Sequence, residues 1–264
     1  MRPIWSGVLS FGLINIPIKV YSGTAGTNIE FNLLHKKDYS PIRYAKVCRK
    51  DGKELTQDEI VKGYEYKDGD YVVLTNEDIK SVNLERSQAI DVLGFVKEEE
   101  IDPIYFEKPY YLEPDKGAGK AYNVLREALK KSKKVGVAKF VIHSREHLGI
   151  IKPHEKIIVL EQMRYEDQLA AWEKLNIPTA DSPRTKELTM ATSFIDHLTE
   201  HFDPGDYQDK FHEKLMKLIK QKLKGHTIKI DKPEEATPTK SADLMMMLKE
   251  SLEKAKQNPQ AFSN

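Results

Sequence analysis

The chain has 264 residues, 39% of them hydrophobic and 31% charged, with a formal net charge of +1: enough for one generous domain with an appendage, or for two small ones. A lone cysteine, Cys48, excludes an intrachain disulfide framework and fits a reducing compartment, while the absence of any span-length apolar stretch or compact signal-type leader points to a cytoplasmic location. The near-neutral total hides segregation, because bases outnumber acids by about seven between Gly119 and Lys156 and acids outnumber bases by about seven between Thr75 and Asp115. One face can therefore be strongly positive, with Glu77, Asp78, Glu98, Glu99, Glu100 and Asp102 expected elsewhere on the molecule.

In chain order, residues 4–21 carry apolar side chains broken by Gly7, Gly12 and Pro17, which predicts a bulged pair of core strands. Phe31 to Leu55 alternates loosely and holds Lys36, Lys37, Arg43, Lys46, Arg49, Lys50 and Lys53, the pattern of an exposed ribbon with a basic face. Thr56 to Gly63 reads as a short helix with a threonine cap, Tyr71 to Thr75 as a strand, and the Thr75–Ile79 stretch as a helix start. Short extended runs follow at 90–96, 104–106 and 109–112, punctuated by Pro103, Pro109 and Pro114.

Ala121, Leu125, Ala128 and Leu129 recur at helical spacing, and Lys130, Lys131, Lys133 and Lys134 crowd the end of that helix, where cations suit the macrodipole. From Lys133 to Ile151 the residues predict two strands around a basic corner, and 156–162 a further strand. Many short strands with two or three helices imply a closed or nearly closed antiparallel barrel carrying helices, a mixed β and α fold.

The character changes near Tyr165. Leu188, Ala191, Phe194, Ile195, Leu198 and Phe202 form one helical stripe, ended by Asp203-Pro204-Gly205. Phe211, Leu215, Leu218, Ile219 and Leu223 form a second, with Gly225 as a stop. Such a pair must bury its stripes on the β-rich body or on a second chain. Residues 232–240 have linker composition, and beyond them Ser241 can cap a final helix whose Leu244, Met247, Leu248, Leu252 and Ala255 share a face. Short and isolated, that helix reads as a docking peptide that folds on a partner's groove.

Catalytic constellations are weak. His143-x-x-Glu146-His147 and His197-x-x-Glu200-His201 both match a zinc-peptidase pattern, but the first follows a strand run, and the second ends against Asp203-Pro204 with no third ligand evident. No Gly-rich phosphate cradle is present, and Lys50-Asp51-Gly52 and Lys67-Asp68-Gly69 each lack the spacer of an adenylated-lysine motif. Cys48 has no second cysteine at knuckle spacing. The sequence offers no positive argument for an enzyme or for a cofactor. What remains is a basic surface without a base-reading motif, which would hold duplex DNA by its backbone with steep salt dependence. A metallopeptidase and a general nucleic-acid-binding scaffold are the other classes left open.

Five motifs in order carry a resemblance. R-x-I-W-x-G-x-x-x-F-G-L-x-N-I-P-x-K-x-Y from Arg2 to Tyr21, P-I-R-Y-x-K-V-C from Pro41 to Cys48, and I-D-P-x-Y-F with Y-x-L-E-P between Ile101 and Pro114 resemble the bacterial Ku proteins. So do L-R-E-A-L with V-G-x-A-x-F and R-E-H-L in the centre, and F-D-P-x-x-Y-x-D from Phe202 to Asp209.

The resemblance implies a non-enzymatic homodimeric ring that threads onto double-stranded DNA ends and brings a DNA ligase to them in non-homologous end joining. It implies a barrel core over residues 1–180 with a DNA-encircling bridge at about 30–65, a helical dimerisation arm over 181–230, a linker over 231–240 and a ligase-docking tail over 241–264. On that template Lys36, Lys37, Arg43, Lys46, Arg49, Lys50, Lys53, Lys139 and Arg145 are the expected DNA contacts, and Leu244, Met247, Leu248 and Leu252 the ligase contacts. It further implies a nucleoid-associated location. Against that family the sequence reads as departing in one respect, the lack of the lysine-rich tail that many relatives carry, and it is expected to begin directly at the barrel, without the amino-terminal domain of eukaryotic Ku.

Overall fold

A computed structural model describes residues 1–25, 29–82, 88–142, 145–177, 185–224 and 244–257. Trp5–Phe11 (β1) and Ile14–Ser22 (β2) form the expected hairpin, turning at Gly12 with φ of 60°, a conformation that favours a residue without a β-carbon. Ile16, Ile18 and Val20 are buried on the period of two while Asn15, Pro17 and Lys19 face outward.

The remaining barrel strands are Ala89–Lys97 (β5), Phe106–Pro114 (β6), Lys134–Ile142 (β7), Arg145–His154 (β8) and Ile157–Met163 (β9). They close with the first two in the order β1-β2-β6-β9-β8-β7-β5. Every pairing is antiparallel except the one that closes the ring, β1 with β5. That pair is parallel because β5 re-enters after a long excursion rather than through a hairpin, and parallel neighbours require such a crossover.

Leu9, Ile90, Leu112, Ala138, Phe140, Ile151, Ile158 and Leu160 fill the interior with the β2 residues. One open end is closed by Gly119–Ser132 (α2), whose Tyr122, Leu125 and Leu129 at helical spacing join the same cluster. The Tyr122 hydroxyl donates to the Leu112 carbonyl at 2.6 Å and accepts from the Ile158 N–H at 2.6 Å, tying the helix to β6 and β9. A second cluster on the outer face sets Val135, Ile150 and Met163 against Ile101 and Tyr105, which arrive on the short turns after β5, and against Phe106, which opens β6.

Between Ser22 and Ala89 the chain leaves the barrel. It runs through an irregular ribbon with isolated bridges Leu34–Pro41 and Val47–Glu54, then a hairpin of Lys62–Lys67 (β3) and Asp70–Leu74 (β4), then the helix Asn76–Val82 (α1). The excursion is therefore longer than the stretch of about 30–65 expected for the bridge. The short helix expected over 56–63 is a single 3-10 turn, Gln57–Glu59, because β3 begins at Lys62.

Chain contacts divide the protein into Met1–Trp172 and Glu173–Asn264. The second unit holds Thr185–Leu198 (α3), Lys210–Leu223 (α4) and Leu244–Gln257 (α5). Neither α3 nor α4 buries a residue, and Leu188 and Ile195 of the α3 stripe stay exposed. The terminal helix is not isolated, as expected from the sequence, but packs on α3, since two half-apolar helices remove more apolar surface from water together than apart. Gly225, the linker and Ser241 lie outside the described residues.

Candidate nucleic-acid interface

The basic ribbon owes its shape to two capped turns. In the first, Asp38 accepts from the Ser40 N–H, the Ser40 hydroxyl and His35 Nδ1, bonds that hold its carboxyl below the usual range, while the Tyr39 N–H donates to the His35 carbonyl. Lys36 and Lys37 stand on this tip. In the second, the Cys48 N–H donates to the Lys53 carbonyl, the Gly52 N–H donates back to Cys48, and Asp51 accepts from the Lys53 N–H. A bond from the Cys48 thiol is the main cause that lowers the Asp51 pKa. Gly52 takes φ of 73°, and Arg49 and Lys50 occupy this tip.

These turns sort the expected contacts by charge. Arg43 pairs with Glu54 at 3.2 Å, Lys53 with Asp51 at 3.8 Å, and Lys46 donates to the neutral Gln57 at 2.6 Å. Among the described residues no carboxylate pairs with Lys36, Lys37, Lys46, Arg49 or Lys50. The free positive charge of the ribbon thus sits at the two tips and at Lys46. All seven side chains belong to exposed residues, where salt screens long-range interaction and phosphates can approach.

Lys139 and Arg145 lie on the barrel. Lys139 faces outward from β7 and gives its charge to Glu146 at 2.9 Å, a bond that raises the lysine pKa and lowers the carboxyl's. Glu146 also accepts from the Tyr165 hydroxyl at 3.1 Å. A lysine compensated in this way offers less free positive charge than the ribbon tips. Arg145 opens β8 beside a pocket of about 340 Å³ shared with Glu107, His147, Gln162 and Tyr165. Strand register places this end of the barrel next to the excursion, because Ile90, one residue inside β5, is opposite Phe140.

The hairpin was not legible as part of this surface, although its signal was present: Lys62, Tyr64 and Tyr66 alternate, and Asp68-Gly69 is a two-residue turn, with Gly69 at φ of 84°. Tyr64, Tyr66 and Tyr71 are all exposed, so the excursion carries aromatic as well as basic side chains. Read only as a failed adenylation motif, Lys67-Asp68-Gly69 concealed the turn.

Of the acidic residues expected elsewhere, Glu98 and Glu99 are instead close to the basic segment. Antiparallel pairing of β5 with β7 brings the two segments together, so Glu98 pairs with Lys152 at 2.9 Å. Neither histidine pattern forms a helical pair: Glu146 and His147 stand on a strand with His143 outside the described residues, and α3 ends at Leu198, before Glu200 and His201. His197 Nδ1 lies 2.7 Å from the Ser193 carbonyl. Of the expected ligase contacts, Met247 is exposed and Leu248 and Leu252 are half-buried; the Leu244 side chain lies outside the described residues. No helix among the described residues is long and apolar enough to cross a membrane.

Residues 10–190 match the family model described as the Ku70/Ku80 beta-barrel domain. The chain is 41% identical over 254 residues to the "Non-homologous end joining protein Ku" of Opitutus terrae, covering 96% of this chain and 91% of that one. To the protein of the same name from Bacillus subtilis it is 40% identical, over 97% and 83% of the two chains. To that of Coxiella burnetii it is 39% identical, over 96% and 94%.

Proposed function

The chain belongs to the Ku family of non-homologous end joining proteins, and from that membership we propose that it binds double-stranded DNA ends without reading sequence, as half of a homodimeric ring, and recruits and stimulates a DNA ligase. The observation that carries this reading is the excursion from the barrel, whose capped tips hold Lys36, Lys37, Arg49 and Lys50 away from any paired carboxylate among the described residues. Flexible ammonium groups on turns neutralise phosphates without a fixed geometry toward base edges, so affinity is electrostatic and sequence-blind. A ring converts that indifference into a preference for ends, since only a free end can thread it.

The second unit supports the dimer. Helices α3 and α4 bury no residue, while Leu188, Ile195, Phe202 and Phe211 remain exposed, which suits an arm completed by another copy. Helix α5 supports the docking role, with Met246 and Met247 presenting adaptable apolar surface. On this reading the protein has no catalytic residues, and its cellular place is the nucleoid.

The test is binding to one duplex in linear and covalently closed circular form, titrated with salt and competed with unrelated sequence. The ring requires strong preference for the linear form regardless of sequence. Equal binding to both forms would instead make the protein a general DNA-binding scaffold.

A further inference from the structure

We propose that the barrel end closed by α2 carries a binding pocket for a compact polyphosphate anion, built by Lys130, Lys133 and Lys134. The three lysines line a concavity of about 620 Å³ together with Lys97, Glu98 and Glu99, over the buried side chains of Leu129 and Val135. Its charge does not cancel. Glu98 is taken by Lys152 at 2.9 Å and Glu99 by Lys97 at 3.4 Å, while no ion pair among the described residues engages Lys130, Lys133 or Lys134.

Two local rules are broken at this spot, both in favour of positive charge. Lys133 follows the last turn of α2 with φ of 54° and ψ of 35°, a left-handed position that favours glycine or asparagine. Lys134 then stands directly opposite Lys97 on the β5–β7 pair, and like charges facing across strands are destabilising. The helix macrodipole accounts for cations at Lys130 and Lys131. It favours a cation at the cap position 133 as well but does not relieve the left-handed conformation that a lysine adopts there in place of glycine, and it does not account for Lys134, which lies in β7 opposite Lys97. Concentrated departures from local preference mark functional positions.

The pocket is separate from the proposed DNA surface. The excursion re-enters the barrel at Ala89, whereas Lys97 and Lys134 pair at the other end of β5, about 25 Å along the strand at the usual rise per residue. A partly enclosed concavity suits a small anion with several charges better than a duplex, whose backbone lies along open surfaces. The ligand class is therefore a chain or cluster of phosphates, such as inorganic or nucleoside polyphosphate. The inference does not depend on the DNA-end reading.

Titration calorimetry of the 264-residue chain with inorganic tripolyphosphate at physiological salt tests it, with orthophosphate as comparison. Saturable binding of one tripolyphosphate per chain is expected, much tighter than orthophosphate. Each lysine removed should weaken binding about tenfold, the effect of one charge-assisted contact. The triple variant K130Q/K133Q/K134Q should thus retain little affinity, and Lys133→Gly should bind about tenfold more weakly yet melt at a higher temperature, because glycine adopts the left-handed conformation freely. No saturable binding by the unaltered protein, equal binding by a folded triple variant, or a Lys133→Gly effect on melting alone would overturn the proposal. Linear-duplex affinity is measured on the same variants. If the triple variant loses duplex binding and duplex displaces tripolyphosphate, the lysines belong to the DNA surface and the proposal fails. Loss of end preference in the unaltered protein would sink the ring while leaving the pocket standing.

Discussion

At Tyr122 one hydroxyl satisfies two strand backbones in the barrel's closed end, where the residue is 3% exposed. Tyr122→Phe keeps the ring and strands the Ile158 N–H and the Leu112 carbonyl, so unfolding stability should fall by about 1–3 kcal/mol, read as a lower urea midpoint with unchanged slope. Glu161 illustrates the opposite case. Burial is the main cause that raises its pKa, with Lys152 opposing and Glu98 reinforcing the shift. A carboxyl whose folded pKa exceeds its unfolded one lowers stability at neutral pH, and that penalty disappears as pH falls through the folded and then the unfolded value. Glu161→Gln should therefore stabilise the protein at pH 7 in urea titrations, and its advantage should vanish in acid. Neither environment was readable in advance, because both depend on which strand lies next to which.

Among the elements, the excursion was visible as a run of lysines and arginines, and its solvated character followed from the same composition. Its extent was not. The hairpin Lys62–Lys67 with Asp70–Leu74 sits on it with every residue exposed, and so small a sheet signals itself only by alternation and an Asp-Gly turn. Charge reversal at the uncompensated tip, Lys50→Glu, should weaken linear-duplex binding at least about tenfold and flatten the salt dependence by about one unit of slope or more, with dimerisation intact by sedimentation. Equal binding would mean that the lining is misplaced. The terminal helix makes a second prediction. Removing residues 241–264 should leave duplex binding unchanged and abolish ligase stimulation. Because α5 packs on α3, deletion also uncovers α3; Met247 is an exposed residue of α5, so Met247→Glu tests the same role without removing the helix and should have the same effect. Undiminished stimulation in both would refute the docking role.

At the scale of the whole molecule, the chain comprises a barrel with a filled interior and a helical unit that lacks buried side chains in α3 and α4. Their stripes were legible from helical spacing; what covers them is a question of assembly. Ile195 is 63% exposed, so Ile195→Glu should leave the barrel's melting transition in place. If α3 forms the dimer surface, the substitution removes one apolar contact from each copy. At about 1.5–3 kcal/mol per buried isoleucine, dimer dissociation should rise by tenfold or more. Sedimentation equilibrium measures this, and the preference for linear over circular duplex should decline in parallel. An unaltered dimer would assign assembly to another face.

The sequence by itself determined the strand-rich core, the helix that ends in lysines, the amphipathic carboxy-terminal helices and the family, because each is written in local periodicity or in motifs that keep their order. Only the tertiary structure decided that β5 closes on β1 in parallel, that Glu98 and Glu99 lie beside the basic segment, that Lys139 is compensated by Glu146, and that Lys130, Lys133 and Lys134 share a pocket. The physical reason is strand pairing: β1 with β5 and Glu98 with Lys152 join residues far apart in the chain, Lys139 meets Glu146 only in the register of the β7–β8 pair, and the three lysines share a concavity with Lys97 only because β7 lies beside β5. That pairing is settled by closing the barrel around one filled interior, a condition that no short window of sequence contains.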